Sequence, residues 1–340
     1  MSRYSESWLS TEFGSLYQDN LIDEPESATP QTHARTLATI RKHLKAAYSP
    51  DPKDLDIDTI LNDIPHLSSS DRSAFHLFAS LIPRLVPIEP FLELCKGYET
   101  DMAFLPSTPG STRSPLTEKM RDPAFDIEKH LPIRTTDDLL RYADDVAGSI
   151  ASAICYLSWS ILTSPINPDH TLRPVDALTW SRLVHYSVNS PIKTNAKISM
   201  GLRTVRNARE MGRALQLVNI SRDIAKDAVI ARLYVPLSLF PSPKTLLSIL
   251  LPSTKAPPPS YAPYSTALLD IADRMRVSSI PAIGNLPRTA RGGTRAMAAS
   301  YFEIAEAIRR NKGEVDEKGI KVDKWRRGLA AAKAFWLGIA

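Results

Sequence analysis

The stretch 196–229 constrains this chain most: it contains no proline, in a sequence that carries 27 of them. Apolar residues recur along it at three- and four-residue steps, so it reads as one long helical run. The same period marks 31–47, where Leu37, Ile40, Leu44 and Ala47 share a face. Further helices are expected over 70–86, with Ser70 or Asp71 as N-cap, and over 89–104, with Pro90 in the first turn where a missing N–H does no harm. Helices are also expected over 136–163, 264–276, 290–311 and 321–338. Strand signals are weak: there is no alternating β-branched run and no Asn-Gly turn, and ARLYVP at 231–236 is the one candidate extended piece. The fold class expected is all-α.

At about 100–200 residues per domain, a chain of 340 fits one large domain or two ordinary ones. The prolines gather between the helices, at 105–132, 165–174 and 236–263. The expected organisation is therefore a single domain over 1–340, with a loop insertion at about 105–132 and a Pro-rich loop at about 241–263. Hydrophobic residues are 43% and charged residues 23%, which excludes a wholly disordered chain. A net charge of +5 permits an anionic substrate or membrane surface but is no nucleic-acid footprint. Two cysteines, Cys95 and Cys155, exclude a disulfide framework and a Cys-based zinc site, and they fit a reducing compartment. Neither G-x-G-x-x-G nor G-x-x-x-x-G-K-[ST] occurs, and MSRYSESWLSTEFG has no apolar core of a secretory signal. The longest uncharged stretch, Val146 to Pro168, is long enough to cross a bilayer, yet its serines dilute the hydropathy that insertion requires. It reads as a buried core helix.

The clearest chemical signal is NISRDIAKD, with Asn219, Asp223 and Asp227 at i, i+4 and i+8. On a helix these three oxygen donors share one stripe, which suits a hard cation such as Mg²⁺. The flanking residues are apolar, and buried acidic groups are costly unless paired or metal-bound. A plainer reading is a solvated acidic face neutralised by Arg222 and Lys226. QDNLIDE offers a second pair, Asp19 and Asp23, also at i and i+4, whose plainer reading is a helix end before Pro25. Two such pairs in an all-helical chain suggest facing walls that hold metal ions on a diphosphate.

EMGRALQLVNISRDIAKDAVIARLYVP (210–236) resembles the second aspartate-rich motif of the squalene/phytoene synthase family, and DNLIDE (19–24) resembles the first. PFLELCKGYETDM (90–102) resembles the family segment that holds a glycine and then an acidic residue. LLRYADDVAGSIASAICYL (139–157) resembles the central helix with its Tyr-x-x-x-Val-Ala-Gly core, and ARGGTRAMAASYFEIAEAI resembles the closing helices. The insertion at 105–132 is more like fungal phytoene synthases, often fused to a lycopene cyclase, than compact bacterial ones.

This resemblance implies an isoprenoid-synthase-type helical bundle with a central cavity. It implies head-to-head condensation of two geranylgeranyl diphosphates to phytoene through a cyclopropyl diphosphate, in carotenoid biosynthesis. The cofactor implied is Mg²⁺, with Mn²⁺ as a substitute, and no NADPH. Asp19, Asp23, Asn219, Asp223 and Asp227 would hold metal, and the four aspartates would be catalytic. Arg222 would reach the diphosphate, Gln216 and Tyr142 would face the reaction centre, Arg232 and Tyr234 would close the diphosphate end, and Tyr301 would line the cavity. Partners implied are a prenyl diphosphate substrate, a peripheral membrane contact, and a lycopene cyclase fused or associated; nucleic acid is not expected. The expected location is intracellular, in the cytoplasm or on an internal membrane.

The chain departs from the family pattern in several places. Leu16 stands where an arginine precedes the first aspartate, Asn20 replaces the usual second aspartate, and Asp144 and Asp145 fall where aromatic or small residues are usual. The 18 residues before Asp19 resemble none of the family's first helix, which leads to an expectation of impaired turnover. Two alternatives remain. One is a catalytically inactive relative acting as a binding or assembly factor, which would be mitochondrial. The other is a squalene or dehydrosqualene synthase.

Overall fold

The structure is a computed structural model that describes residues 30–49, 56–64, 67–104, 131–162, 196–230, 232–242, 245–246, 249 and 260–338. Asp19 and Asp23, and most of the two loops expected at about 105–132 and 241–263, lie outside the described residues. The helices are α1 (Pro30–Ala47), α2 (Ile57–Leu61), α3 (Ser69–Leu81), α4 (Glu89–Met102), α5 (Thr136–Ala143), α6 (Ser149–Leu162), α7 (Ala196–Val229), α8 (Ala262–Ser279), α9 (Arg288–Arg310) and α10 (Lys324–Leu337). A π-helical turn, Asp144–Gly148, joins α5 to α6. No strand occurs among the described residues, and the described part of the ARLYVP piece, 232–236, joins no sheet.

Local chemistry sets the boundaries. α3 starts two or three residues earlier than Ser70 or Asp71 would place it, because Ser68 is the N-cap. Its hydroxyl accepts from the Asp71 N–H at 3.1 Å, and Asp71 at the third helical position reaches back to the Ser68 N–H, a capping box. The helix expected to 86 ends at Leu81 and gives way to a 3₁₀ turn, Ile82–Arg84, where Pro83 has no N–H to continue the α ladder. Thr135 and Asp138 form the same capping box ahead of α5. α2 is an unexpected element of five residues, capped by Asp56 through the Thr59 N–H at 3.1 Å.

α7 is the spine: α5, the π turn, α6, α8 and α9 all pack against it. The core falls into two apolar clusters, one around the C-terminal half of α7 with α8 and α9, the other around α1, α3, α4 and α6. Val146, in the π turn, packs against both. The described part of the uncharged stretch, 146–162, lies in the π turn and α6, where Tyr156 is fully buried; 163–168 lie outside the described residues. Two of its serines are satisfied inside the helix: Ser149 and Ser152 donate to the carbonyls of Asp145 and Ser149 at 2.6 Å each. Among the described residues no helix is long and apolar enough to cross a membrane.

Close approach at the π turn requires glycine. A Cβ built on Gly212 of α7 would sit 2.4 Å from the Ala147 carbonyl oxygen and 2.8 Å from the Gly148 nitrogen, both backbone atoms that cannot swing aside. A Cβ on Gly97 of α4 would meet Val146 at 2.5 Å. Gly212→Ala should therefore lower stability by about 2 kcal/mol through overpacking. Gly293→Ala, in open space on α9, should raise it by up to about 1 kcal/mol through helix propensity. Urea denaturation of the two variants checks the contrast, and equal shifts would mean that the α7–π turn contact is looser than described.

Candidate active site

The C-terminal half of α7 presents Gln216, Asn219, Asp223 and Asp227 on one face, each half-buried. The amide oxygen of Asn219 is buried with no hydrogen-bond partner. A buried acceptor left unmade is costly, so it marks a place prepared for a donor or a cation. Two turns further on, burial pushes the Asp227 carboxyl up to about 7, and the charge of Asp223 adds to this, while Arg232 and Lys226 pull the other way. Asp223 itself is gripped by its neighbour: Arg222 Nε and Nη2 donate to its two oxygens at 2.9 and 2.5 Å, a bidentate pair. Arg222 also lies within electrostatic reach of Tyr301 on α9 and of Asp227.

Facing this stripe is a carboxylate that the sequence left without a role. Asp101, on the last turn of α4, accepts hydrogen bonds at Oδ1 from Tyr142 at 2.8 Å and from Tyr234 at 2.7 Å. The two phenol rings stack, with centroids 5.0 Å apart and planes 22° from parallel. Burial, and then the Asp101 charge, hold both hydroxyls protonated well above the ordinary tyrosine range. Asp101 also contributes to raising Asp227, so the two walls sense one another. The signal that could have found Asp101 is its spacing from Gly97: four residues apart, the two share a face of α4, and Gly97 is the point that touches the π turn.

Behind the tyrosines, the π turn carries Asp144 and Asp145. Arg209 of α7 clamps Asp144 through Nη2 at 2.7 Å and Nε at 3.1 Å, and its Nη1 donates to Glu93 of α4 at 2.7 Å. Arg213 stands 3.8 Å from the same Asp144. The acidic substitution at 144 is thus answered by arginine from the facing helix. Asp145 is pushed up to about 6 by burial and by the nearby Glu93 charge.

The fold thus brings together Tyr142, Asn219, Arg222, Asp223, Asp227, Arg232, Tyr234 and Tyr301, with Gln216 at the N-terminal end of the stripe. The Arg232 N–H bonds the Asp227 carbonyl at 2.9 Å, which folds the chain after α7 back onto the site. The donor set Asn219, Asp223 and Asp227 is all oxygen, and the unpartnered amide oxygen fits a hard cation. No group of three or more His, Cys, Asp or Glu among the described residues could hold a metal ion by itself. A cation here would complete its shell with water or substrate oxygens, as Mg²⁺ does. Two hollows, one of 540 Å³ between α1 and α4 and one of 630 Å³ at the α9–α10 turn, are lined by none of these residues. Neither is the central cavity that the resemblance implies.

Asp227 links stability to pH. Between about pH 4 and pH 7 the folded chain keeps a proton that the unfolded chain has lost, so stability falls as pH rises through that window. Asp145 acts in the same sense, so the informative comparison is wild type against Asp227→Asn. The variant should gain on wild type in urea midpoint from about pH 4 to about pH 7 and hold that gain above it. A gap that does not change with pH would mean that the carboxyl is not held protonated. Asp101→Ala strands two buried hydroxyls and should cost about 3 kcal/mol, whereas Asp101→Asn keeps an acceptor and should cost about half; thermal melts distinguish the two.

Residues 16–326 match the family described as squalene/phytoene synthase. A bifunctional lycopene cyclase/phytoene synthase from Phaffia rhodozyma is 32% identical over 281 residues, 75% of this chain and 35% of its own length. One from Phaeosphaeria nodorum is 28% identical over 326 residues, 95% of this chain and 44% of its own. The chain thus spans less than half the length of these curated relatives. A crystal structure of a dehydrosqualene synthase aligns over 97% of this chain and 98% of that one, at 15% identity and a TM-score of 0.48. The family match begins ahead of α1 and ends inside α10, so every helix described above falls wholly or partly within it, and the chain belongs to the squalene/phytoene synthase family of prenyl-transferring enzymes.

Proposed function

We propose that this chain condenses two geranylgeranyl diphosphates head to head to give phytoene. The observation that carries the reading is the buried, unpartnered oxygen of Asn219, in line with Asp223 and Asp227 and facing the tyrosines tied to Asp101. An inactive relative need not retain all three of Asn219, Asp223 and Asp227. The similar fungal proteins that are named lycopene cyclase/phytoene synthase favour phytoene as product and a cyclase as partner. A single domain, with Asp19 and Asp23 forming the opposite acidic wall, belongs to the same proposal.

Asn219, Asp223 and Asp227 would hold Mg²⁺ or Mn²⁺, which when bound neutralises charge on a leaving diphosphate. Arg222 is placed to turn from Asp223 to a diphosphate oxygen, its planar fork suiting either partner. Arg232, beside Asp227, closes that end. In the first step the allylic C–O bond breaks and its electron pair leaves with diphosphate. The double bond of the second substrate then attacks the allylic cation, and loss of a proton gives the cyclopropyl diphosphate. A ring face of the Tyr142–Tyr234 pair turned toward the substrate, rather than the two faces stacked on each other, would offer π density to this cation, and the protonated hydroxyls, bound to Asp101, are not nucleophiles. A second ionisation, rearrangement and proton loss give phytoene without a reductant. Tyr301 and Gln216 would bound the cavity, and the surrounding apolar cluster would exclude the water that quenches such cations. A peripheral membrane contact suits substrates and product with such long apolar chains.

Purified chain incubated with labelled geranylgeranyl diphosphate and Mg²⁺ should yield labelled phytoene. Asp223→Ala should lower that rate by about 10²–10³ or more, the usual cost of one well-placed electrostatic group. Calorimetry should show Mg²⁺-dependent diphosphate binding by wild type and its loss in the variant. Squalene-type products, or diphosphate affinity equal in both proteins with and without Mg²⁺, would overturn the reading.

A further inference from the structure

The last helix wears its apolar face on the outside. α10 (KWRRGLAAAKAFWL) rests chiefly on α9. The side that touches α9 is formed by Arg327, Ala330, Ala331, Ala334 and, at its edge, Phe335: Ala334 is fully buried, Arg327 Nε donates to Ser300 Oγ at 3.1 Å, and the Phe335 ring lies against Gly292. At about 100° per residue the opposite side is formed by Trp325, Leu329, Ala332 and Trp336. Trp325 is 63% exposed and Trp336 80%. A helix on a globular surface normally turns such a stripe inward. Here the inward side is mostly alanine, with the Phe335 ring packed over Gly292 of α9, and the outward side carries the two indoles.

The charges on α10 itself have one sign. Lys324, Arg326, Arg327 and Lys333 are the charged residues of α10, and it carries no acid. The half of α9 that runs beside its C-terminal end carries Arg288, Arg291 and Arg295, with no acid before Glu303. Arg326 lies over the Trp325 ring at 4.8 Å from its centroid, and its nearest acid is Asp323, at 3.7 Å just ahead of the helix. Exposed indoles bordered by lysine and arginine match the boundary between lipid headgroups and acyl chains, where Trp sits with its ring apolar and its N–H wet. A cationic border selects an anionic leaflet.

We propose that α10 is a membrane-docking helix. It lies in the plane of an anionic bilayer, with Trp325, Leu329 and Trp336 in the headgroup boundary and Lys324, Arg326 and Lys333 on lipid phosphates. The inference rests on this surface alone and not on the prenyl-transfer reading.

The test is co-sedimentation of the full chain with vesicles of phosphatidylcholine, with and without about one-quarter phosphatidylserine. Wild type should sediment with the anionic vesicles, weakly or not at all with the neutral ones, and less as salt is raised. Trp325→Ser with Trp336→Ser, and separately Lys333→Glu, should each weaken binding by about tenfold. Both variants should keep wild-type helical dichroism, because these side chains project into solvent. Phytoene formation assayed in detergent micelles should be unchanged in them, so the docking and the catalytic proposals can fail separately. Sedimentation unchanged by the tryptophan substitutions, or no sedimentation of wild type with anionic vesicles, would overturn the proposal. So would a concentration-dependent dimer, seen by light scattering, that the tryptophan substitutions abolish, since it would give the stripe to a second copy of the chain.

Discussion

The contact on which the rest depends is the seating of α7 against the backbone of the π turn at Gly212. With no Cβ at Gly212, and with Gly97 opposite on α4, three helical segments meet at backbone distance around Val146. That spacing lets Arg209 reach Glu93 and Asp144 together and lets Asp101 reach tyrosines from two different segments. A methyl group at this point would separate the acidic stripe from the tyrosine wall before it altered any residue of either. The motif glycines are thus explained by geometry, as spacers that hold polar side chains of adjacent elements at hydrogen-bond range.

The electrostatic design follows from putting charges inside an apolar cluster. The polar groups there are answered unequally. Arg209 fully engages Asp144, and Arg222 fully engages Asp223. Asp227 has only partial relief from Arg232 and Lys226, and Asn219 has none from the protein. Asn219 and Asp227 lie in one line on α7, so the deficit of positive charge along this stripe is local and points toward one occupant.

Much of this was legible in the sequence, for identifiable reasons. α7 is long, free of proline and periodic, and its limits of 196 and 229 are those observed. The oxygen stripe was legible because helical spacing converts i, i+4, i+8 directly into a shared face. The N-terminal end of α3 was misplaced because three serines in a row all qualify as caps, and only the Asp71 side chain selects Ser68. Asp101 was passed over because its importance depends on partners 41 and 133 residues away, which no local spacing reveals. The outward stripe of α10 was hidden by the same rule that found the other helices: periodicity gives a face, and only packing tells which way it looks.

The π turn has a consequence of another kind. It lodges one surplus residue in a helix that otherwise runs from Thr136 to Leu162, so it works as a phase shifter. Upstream of it, Tyr142 is in register with the acidic stripe; downstream, Ala153 and Tyr156 are in register with the other apolar cluster. An unbroken α-helix would rotate one half against the other by about 100°, and one of the two registers would be lost. Within 144–148, then, the number of residues matters apart from their identity: a single deletion there would uncouple site from core while leaving every named side chain in the sequence.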